Sequence, residues 1–229
     1  MTIEAPEVES PAQSQTQAQS APSRVAIPVQ SEQAFQQDQA QAARVGVYGL
    51  LSALFATEPS EEALQSLRDI GEIDSSGDMI AMGWELMKQS ALKTSLDAVH
   101  HEYISLFIGV GRGELMPFGS WYLTGFLMEK PVAVLRRDLQ SLGIERNEGV
   151  SESEDHIASL CDAMGIIIQH SDEISLQTQT EFFNDHLEPW AHRFFEDLQS
   201  ASNAHFYRSV GFFGAAFMEF EADLLSRPS

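Results

Sequence analysis

Asp155 and His156 are the adjacent side chains with the clearest potential for chemistry, and they stand near the predicted start of a helix. An aspartate in that position ordinarily complements the positive end of the helix dipole, whereas a histidine beside it can hydrogen-bond a ligand. A serine hydrolase would also need a nucleophile on a strained turn. The chain has no GxSxG elbow, and the nearest sequence, Gly119-Ser120-Trp121, lacks the right flank. We therefore predict a ligand contact or a structural role here and no catalytic residue.

Histidine and cysteine spacing argues against a metal site. His100 and His101 are adjacent, so on a helix their side chains point about 100° apart and cannot face one ion. His186 and His192 are separated by a proline and do not have the i, i+4 spacing of HExxH. The single cysteine, Cys161, offers no CxxC pair and is typical of a reducing compartment such as the cytoplasm. We predict no metal and no cofactor.

The stretch from Glu102 to Tyr122 is the second candidate site, because two apolar clusters flank a glycine-rich loop. The loop Gly109-Val-Gly-Arg-Gly113 matches neither GxGxxG nor GxxxxGK[ST], and no strand precedes it, so a hinge or groove rim is the better interpretation than a nucleotide site. The residues that could line such a groove are Tyr103, Leu106, Phe107, Pro117, Phe118, Ser120, Trp121 and Tyr122.

The charge balance restricts the class of partner. Thirteen basic against 34 acidic residues give a formal charge of −21, a field that repels nucleic acid and anionic membranes and attracts cationic peptides. The alternative is that the acidity only confers solubility. No apolar run approaches the roughly 20 residues of a membrane-spanning helix, and the N-terminus does not resemble a secretory signal.

The elements that must position these residues are predicted to be helices. Residues 1–32 are rich in Pro, Gln, Ser and Ala and are predicted to be a disordered tail, followed by one domain over 33–229. Ser60 and Asn203 are predicted N-caps, and Ser151 with Glu154 has the spacing of a capping box, with Ser153 as an alternative cap. No period-2 alternation is present, so the fold class is all-α, with about nine to ten helices. Apolar periodicity predicts these at residues 33–58, 61–67, 79–88, 93–107, 120–128, 131–142, 152–168, 175–187, 190–199 and 204–225.

Across residues 40–225 the sequence resembles the TorD/DmsD family of chaperones for molybdenum-containing redox enzymes. Two positions depart from the family pattern: Ser153 stands where a proline is usual, and Phe118 where a tryptophan is common. The motifs that match in order are Ala43-Arg44-x-x-x-x-Tyr48-x-Leu50-Leu51, Glu102-Tyr103-x-x-Leu106-Phe107-x-Gly109, Pro117-x-x-Ser120-x-Tyr122, Glu154-Asp155-His156-Ile157, Phe183-x-x-His186-Leu187-x-Pro189-Trp190 with Phe194, and Phe206-Tyr207.

The resemblance implies a TorD-like helical domain that is not an enzyme. It implies a cytoplasmic chaperone that captures the twin-arginine signal peptide of a molybdenum oxidoreductase and holds the apo-form for cofactor insertion before Tat export. The signal-peptide site it implies comprises the eight groove residues named above together with Asp155 and His156. Asp155 would pair with a peptide arginine, and His156 would hydrogen-bond the peptide backbone.

Two other functions stay open from the sequence. One is a small α-helical hydrolase using Asp155, His156 and Glu102, and the other is an adaptor whose acidic tail holds a basic partner. The client enzyme is not identified by the sequence. A monomer and a domain-swapped dimer are both compatible with it, since loops 109–119 and 143–150 are potential hinges.

Overall fold

The structure, a computed structural model, describes residues 32–74, 76–145 and 153–227, and these are helical throughout with short connections. No helix in these ranges is long and apolar enough to cross a bilayer. The elements in chain order are α1 (Glu32–Ala56), α2 (Glu61–Arg68), α3 (Met79–Lys93), α4 (Leu96–Tyr103), the π-helical turn π1 (Ile104–Ile108), α5 (Gly119–Thr124), α6 (Lys130–Ser141), α7 (Ile157–Gln169), α8 (Leu176–His186), α9 (Ala191–Ser200) and α10 (Phe206–Leu225).

The core lies where α1 packs on α7 and where α10 packs on α9 and α3. Helices α7 and α10 are apolar on most of their surface and are buried on most of it, as expected of helices surrounded by others. Phe55 is the centre of an aromatic cluster, with its ring 5.4 to 5.9 Å from those of Phe107, Phe194, Phe195 and Tyr207. This cluster joins the end of α1 to π1, α9 and α10.

A buried ion pair connects the first and the last helix that the structure describes. The Arg44 guanidinium on α1 donates to both carboxylate oxygens of Glu221 on α10, at 2.7 and 2.8 Å. Gln179 accepts a further bond from Arg44 at 3.3 Å, and the Tyr48 hydroxyl donates to Glu221 at 3.0 Å. Burial raises the pKa of the Tyr48 hydroxyl, and the neighbouring Glu221 charge adds to that effect. Since buried charges are tolerated only when paired, the network fixes the register of α1 against α10.

Most predicted helices are confirmed, together with several of their caps. Helix α1 ends before Pro59, Ser60 accepts from the Ala63 amide, and Pro131 stands in the first turn of α6. Gly143, predicted to stop α6, has the left-handed φ of 70°. The predicted tail, residues 1–32, lies outside the described residues except for Glu32, which is the first residue of α1, and most of the predicted loop 145–150 lies outside them as well.

Four helix boundaries were predicted wrongly. Helix α3 runs five residues past the predicted end at Lys88 to Lys93. The predicted helix 93–107 begins only at Leu96, after a Ser95 cap, and widens into π1. The predicted helix 120–128 ends at Thr124, because Gly125 takes a left-handed φ of 80° and stops it. Helix α7 begins at Ile157, not near residue 152, because the His156 side chain caps it.

The predicted cap of the last helix was also wrong. The Asn203 amide and side chain donate instead to Glu114. The N-terminus of α10 is capped by the Glu102 carboxylate, which accepts the backbone N–H groups of His205, Phe206 and Tyr207 at 2.7 to 3.0 Å. A carboxylate at this position satisfies amides that have no partner inside the helix and complements its dipole.

Candidate functional site

Residues 117–119 and 155–157 lie side by side as an antiparallel clip. The Gly119 amide donates to the Asp155 carbonyl at 2.9 Å, and the Ile157 amide donates to the Pro117 carbonyl at 2.9 Å. Between these bonds the ring of Phe118 meets that of His156 edge-on, with centroids 4.9 Å apart. The clip therefore joins the start of α5 to the start of α7, and it brings together two motifs that are 35 residues apart in the chain.

His156 is the N-cap of α7. Its side chain is buried, and Nδ1 accepts the Ala158 amide at 3.2 Å, which places the proton of the neutral ring on Nε2. This cap is why α7 begins at Ile157, and it corrects the predicted caps: Ser153 does not cap the helix, and Ser151 lies outside the described residues.

Asp155 is buried, with only 3% of the residue exposed, and only one of its two carboxylate oxygens accepts a hydrogen bond from a described residue. Oδ2 accepts the Ser120 amide at 2.7 Å, which is the ordinary structural role of an aspartate at a helix start. Oδ1 has no hydrogen-bond partner in the part of the chain that the structure describes. A buried polar atom without a partner costs about 1 to 3 kcal/mol, so a ligand that donates to Oδ1 recovers free energy.

A cavity of about 190 Å³ opens beside Asp155. Its walls are mostly apolar, and its polar side chains are Ser120, Asp155, Asp185 and His186. The pKa of His186 is lowered by burial, and this effect is only partly offset by its hydrogen bond to Asp138 at 3.0 Å, so the ring is neutral at pH 7. Two carboxylates and a neutral imidazole give the cavity a negative charge. We call it the Asp155 cavity.

An exposed apolar surface borders the Asp155 cavity. It comprises the end of α5, the connection from α5 to α6 and the outer face of α6, and its large side chains are 41 to 68% exposed. We define this α5–α6 patch as Leu123, Phe126, Leu127, Met128 and Val134. Leu123 and Val134 also line the cavity, so the acidic and the apolar surfaces are continuous.

The α5–α6 patch is held in place by its backbone. Ser120 accepts the Met128 amide on Oγ at 3.2 Å, and the Thr124 hydroxyl donates to the Ser120 carbonyl at 2.8 Å and accepts the Phe126 amide at 3.2 Å. Met128 has a positive φ of 59°, which is uncommon outside glycine and is sustained by these bonds. A tethered loop that exposes contiguous large apolar groups is typical of an interaction surface.

The structure divides the predicted groove residues into three groups. Pro117, Phe118, Asp155 and His156 lie in the clip, and Ser120 is joined to them because its amide donates to Asp155. Trp121 and Tyr122 line a different cavity on another face of α5. The third group, Tyr103, Leu106 and Phe107 on α4 and π1, packs in the aromatic core and does not line the Asp155 cavity.

That third group consists of Tyr103, Leu106 and Phe107. Tyr103 is buried and donates its hydroxyl to the Phe55 carbonyl at 3.1 Å, and Leu106 is fully buried. Phe107 is half-buried, with its ring 5.1 Å from that of Tyr207. Their role in peptide binding stays a prediction.

Sequence reasoning missed the α5–α6 patch because residues 120–128 were interpreted as a helix. The available signal was Gly125 at the end of a short helical run, followed directly by the apolar run from Phe126 to Met128. Within the described ranges no group of three or more His, Cys, Asp or Glu residues is arranged to hold a metal ion. Cys161 is buried, and burial raises the pKa of its thiol.

Comparison with known proteins relates this chain to one group. A family model described as the nitrate reductase delta subunit matches residues 75–196. The chaperone protein TorD of Vibrio parahaemolyticus is 24% identical over 205 residues, covering 80% of this chain and 94% of that protein. TorD of Aliivibrio salmonicida is 26% identical over 205 residues, with the same coverage of both chains. A solved structure from Archaeoglobus fulgidus, described as a redox enzyme maturation protein, shares the fold at 20% identity with a TM-score of 0.53, covering 77% of this chain and 93% of that one.

Proposed function

This chain belongs to the nitrate reductase delta subunit family, and we propose that it is a cytoplasmic chaperone for a molybdenum-containing redox enzyme, its client. In this proposal it binds the twin-arginine signal peptide of the client and holds the apo-precursor for cofactor insertion before Tat export. The relatives reported above are chaperone proteins, whose role is non-catalytic, and this agrees with the prediction that the chain is not an enzyme.

The observation that carries the proposal is the unpartnered Oδ1 of Asp155, a buried residue that lines a negatively charged cavity. An arginine side chain supplies what is missing, namely in-plane N–H donors and a positive charge that bind a carboxylate strongly. The volume of about 190 Å³ exceeds the roughly 150 Å³ that accommodates benzene, so a guanidinium group with part of its stem fits. The apolar walls can cover the methylene groups of that stem.

The α5–α6 patch supports the second half of the proposal. A twin-arginine signal carries an apolar segment after its arginines, and this segment would lie on the patch while an arginine occupies the cavity. At about 25 cal/mol per Å², burying roughly 300 Å² of apolar surface contributes about 7 kcal/mol before ordering costs. A dissociation constant of the order of 1 μM corresponds to about 8 kcal/mol, so the contacts in the cavity must add to those on the patch to offset the ordering costs.

The net charge of the chain also favours binding of a cationic peptide. The formal charge of −21 attracts a cationic peptide over distances of the order of the Debye length, about 10 Å at 0.1 M salt. The affinity is therefore expected to weaken as salt is raised, although the contact with the buried Asp155 carboxylate is screened less than contacts at the surface.

The three side chains on which the alternative hydrolase would depend already accept structural hydrogen bonds from backbone amides. Glu102 accepts three amides at the start of α10, Asp155 accepts the Ser120 amide, and His156 accepts the Ala158 amide through Nδ1. A general base needs a free lone pair directed at its substrate. Asp155 Oδ1 keeps such a lone pair, but the Glu102 carboxylate and Nδ1 of His156 are occupied by capping bonds, so the structure gives the three-residue hydrolase no specific support.

Calorimetric titration of the full chain with a generic twin-arginine peptide, at low and moderate salt, tests the proposal. We expect one-to-one, micromolar, salt-sensitive binding that weakens at least tenfold in Asp155→Asn. Asp162→Asn removes the same charge from an exposed position of α7 and should bind as the wild type does. A variant lacking residues 1–32 should also keep its affinity, whereas an adaptor that works through its tail would lose it. Equal affinity in Asp155→Asn and the wild type would exclude the assigned role of Asp155.

A further inference from the structure

Arg112 and Arg193 line a second cavity, of about 320 Å³, beside α5. Trp121 and Tyr122 of α5 line it as well, whereas Gly119 and Ser120 line the Asp155 cavity. Successive residues of a helix are about 100° apart, so these two pairs of residues point to opposite sides of α5. We call the second site the Arg112 cavity.

The carboxylates of the Arg112 cavity are already bonded to neutral donors. Glu114 accepts the amides of Ser202 and Asn203 and the side-chain amide of Asn203. Asp197 accepts the Tyr122 hydroxyl at 3.0 Å. These bonds hold the walls of the cavity together, and they direct the carboxylates at partners other than the arginines.

Neither arginine of the cavity forms an ion pair with a residue that the structure describes. Among the described residues, Arg44, Arg68, Arg136 and Arg137 each have a carboxylate within 4.0 Å, whereas Arg112 and Arg193, like Arg208 and Arg227, have none. In a chain with 34 acidic and 13 basic residues, carboxylates are abundant, yet two guanidinium groups face one cavity without such a partner. The structure therefore leaves charged donors available at this place.

Arg112 is presented by its loop with its donors accessible. Its guanidinium carbon lies 4.8 Å from the centroid of the Trp121 ring. This is a cation–π contact, and the Arg112 side chain donates no hydrogen bond to the part of the chain that the structure describes. The loop is tightly turned, since Gly109 has a left-handed φ of 62° and a side chain at Gly109 or Gly113 would overlap the backbone. The Leu115 amide closes the loop on the Leu106 carbonyl at 2.8 Å.

We propose, on the basis of the proposed function, that the Arg112 cavity binds a carboxylate side chain of the client polypeptide. Arg112 and Arg193 would donate to the carboxylate, and Trp121 would cover the methylene groups next to it. The client would then be held at two sites on either side of α5, with a cationic residue in the Asp155 cavity and an acidic residue here. Such a pair of contacts selects clients that carry both charges.

A singly charged carboxylate suits this cavity better than a phosphate group. Glu114 and Asp197 lie in the same walls and repel additional negative charge at short range. The formal charge of −21 on the whole chain repels a multiply charged anion more strongly than a monoanion. If the natural ligand is a carboxylate, a monocarboxylate should bind more tightly than a phosphate anion, and if it is a phosphate group, the order should be reversed.

Nuclear magnetic resonance of the full chain, with the tryptophan indoles labelled with nitrogen-15, tests the site directly. The probes are the N-acetyl, N-methylamide derivatives of glutamate and glutamine, and inorganic pyrophosphate. We expect the Trp121 indole signal to shift in a saturable way with the glutamate probe and not with the glutamine probe. Arg112→Gln and Arg193→Gln should each weaken that binding at least fivefold. Arg208→Gln removes an arginine that lies outside the cavity and should change nothing.

The outcomes separate this proposal from the function of the Asp155 cavity. Retention of the glutamate response in Asp155→Asn, with loss of arginine-peptide binding, supports two independent sites. Equal responses to the two amino-acid derivatives, or a response that survives Arg112→Gln, would overturn the carboxylate site even if the signal peptide binds. Tighter binding of pyrophosphate than of the glutamate probe would overturn the choice of a carboxylate.

Peptides that carry an arginine pair and one glutamate at increasing separations then test whether both sites hold one chain. At a separation that reaches both cavities, the glutamate should raise affinity at least threefold over glutamine in the wild type. The gain should vanish in Arg193→Gln. If no separation from two to twelve residues gives a gain, the client carboxylate does not bind here.

Discussion

The carboxylate of Glu102 accepts the backbone amide of Tyr207 at 2.7 Å, although the two residues are 105 positions apart. The same carboxylate accepts the amides of His205 and Phe206, so one α4 side chain caps the whole start of α10. The carboxylate is thus a structural group that orders the last helix and the aromatic core around it.

Glu102→Gln should destabilise the protein by about 1 to 3 kcal/mol. An amide has only one oxygen with which to accept, so at least one amide of α10 loses its partner, and the charge that complements the helix dipole is lost. Urea unfolding followed by circular dichroism measures the change. Glu219→Gln, an exposed change on the same helix, should stay within about 0.5 kcal/mol. A stability equal to that of the wild type would contradict the capping role.

Breaking the Arg44–Glu221 pair should cost more. Glu221→Gln leaves the Arg44 charge buried without a full partner, and losses of about 3 to 5 kcal/mol are typical of such changes. The double variant Arg44→Met, Glu221→Met should be more stable than Glu221→Gln, because neither charge is left alone. Thermal and urea unfolding of both variants measure the difference. A double variant that is as unstable as Glu221→Gln would show that hydrogen bonds, not the charge, dominate.

Leu106→Ala should lower stability and leave peptide affinity unchanged. Leu106 is fully buried, so its truncation leaves a cavity that costs about 2 to 5 kcal/mol. Ile108→Ala truncates a neighbouring side chain that is 57% exposed and should cost little. Urea unfolding and peptide titration of the folded variants separate the two effects. Weakened binding by a fully folded Leu106→Ala protein would support the prediction that Leu106 belongs to the binding site.

Phe126→Ala should weaken signal-peptide binding without destabilising the fold. Phe126 is 68% exposed in the α5–α6 patch, so its truncation removes surface for the peptide and no core packing. A loss of about 1 to 2 kcal/mol, or five- to thirtyfold in affinity, is expected for a residue central to an interface. Phe220→Ala is the matched control, since Phe220 is 42% exposed and lies outside the patch. Equal effects of the two variants would contradict a specific role of the patch.

His186 should make the protein less stable as the pH is lowered. Burial holds the pKa of His186 below its ordinary value of 6.5, so between its folded and unfolded pKa values the unfolded chain binds more protons. The stability contributed by the neutral ring is complete above about pH 6.5 and decreases as the pH falls through and below that value. Unfolding measured from pH 7.5 to 5.5 should show a smaller slope in His186→Asn than in the wild type. An unchanged slope would show that other groups cause the pH dependence.

Much of the helical framework could be predicted from local sequence. Ser60, Pro131 and Gly143 each act on the few residues next to them, so their effect is legible without knowledge of the fold. The same holds for the apolar periodicity of α7 and α10. Boundaries failed where a distant group decides them: His156 starts α7 within its clip to Phe118, and Glu102 caps α10.

The sequence by itself determined the all-α class, most of the helices, the acidity and the choice of Asp155 and His156 as residues of interest. Tertiary structure alone decided that one oxygen of Asp155 has no partner among the described residues, that the α5–α6 patch is exposed, and that Arg112 faces the same cavity as Arg193. The physical reason is the distance along the chain over which each kind of interaction acts. Caps and periodicity depend on neighbours within a few residues, whereas burial and hydrogen-bond satisfaction depend on which distant segments fold against each side chain.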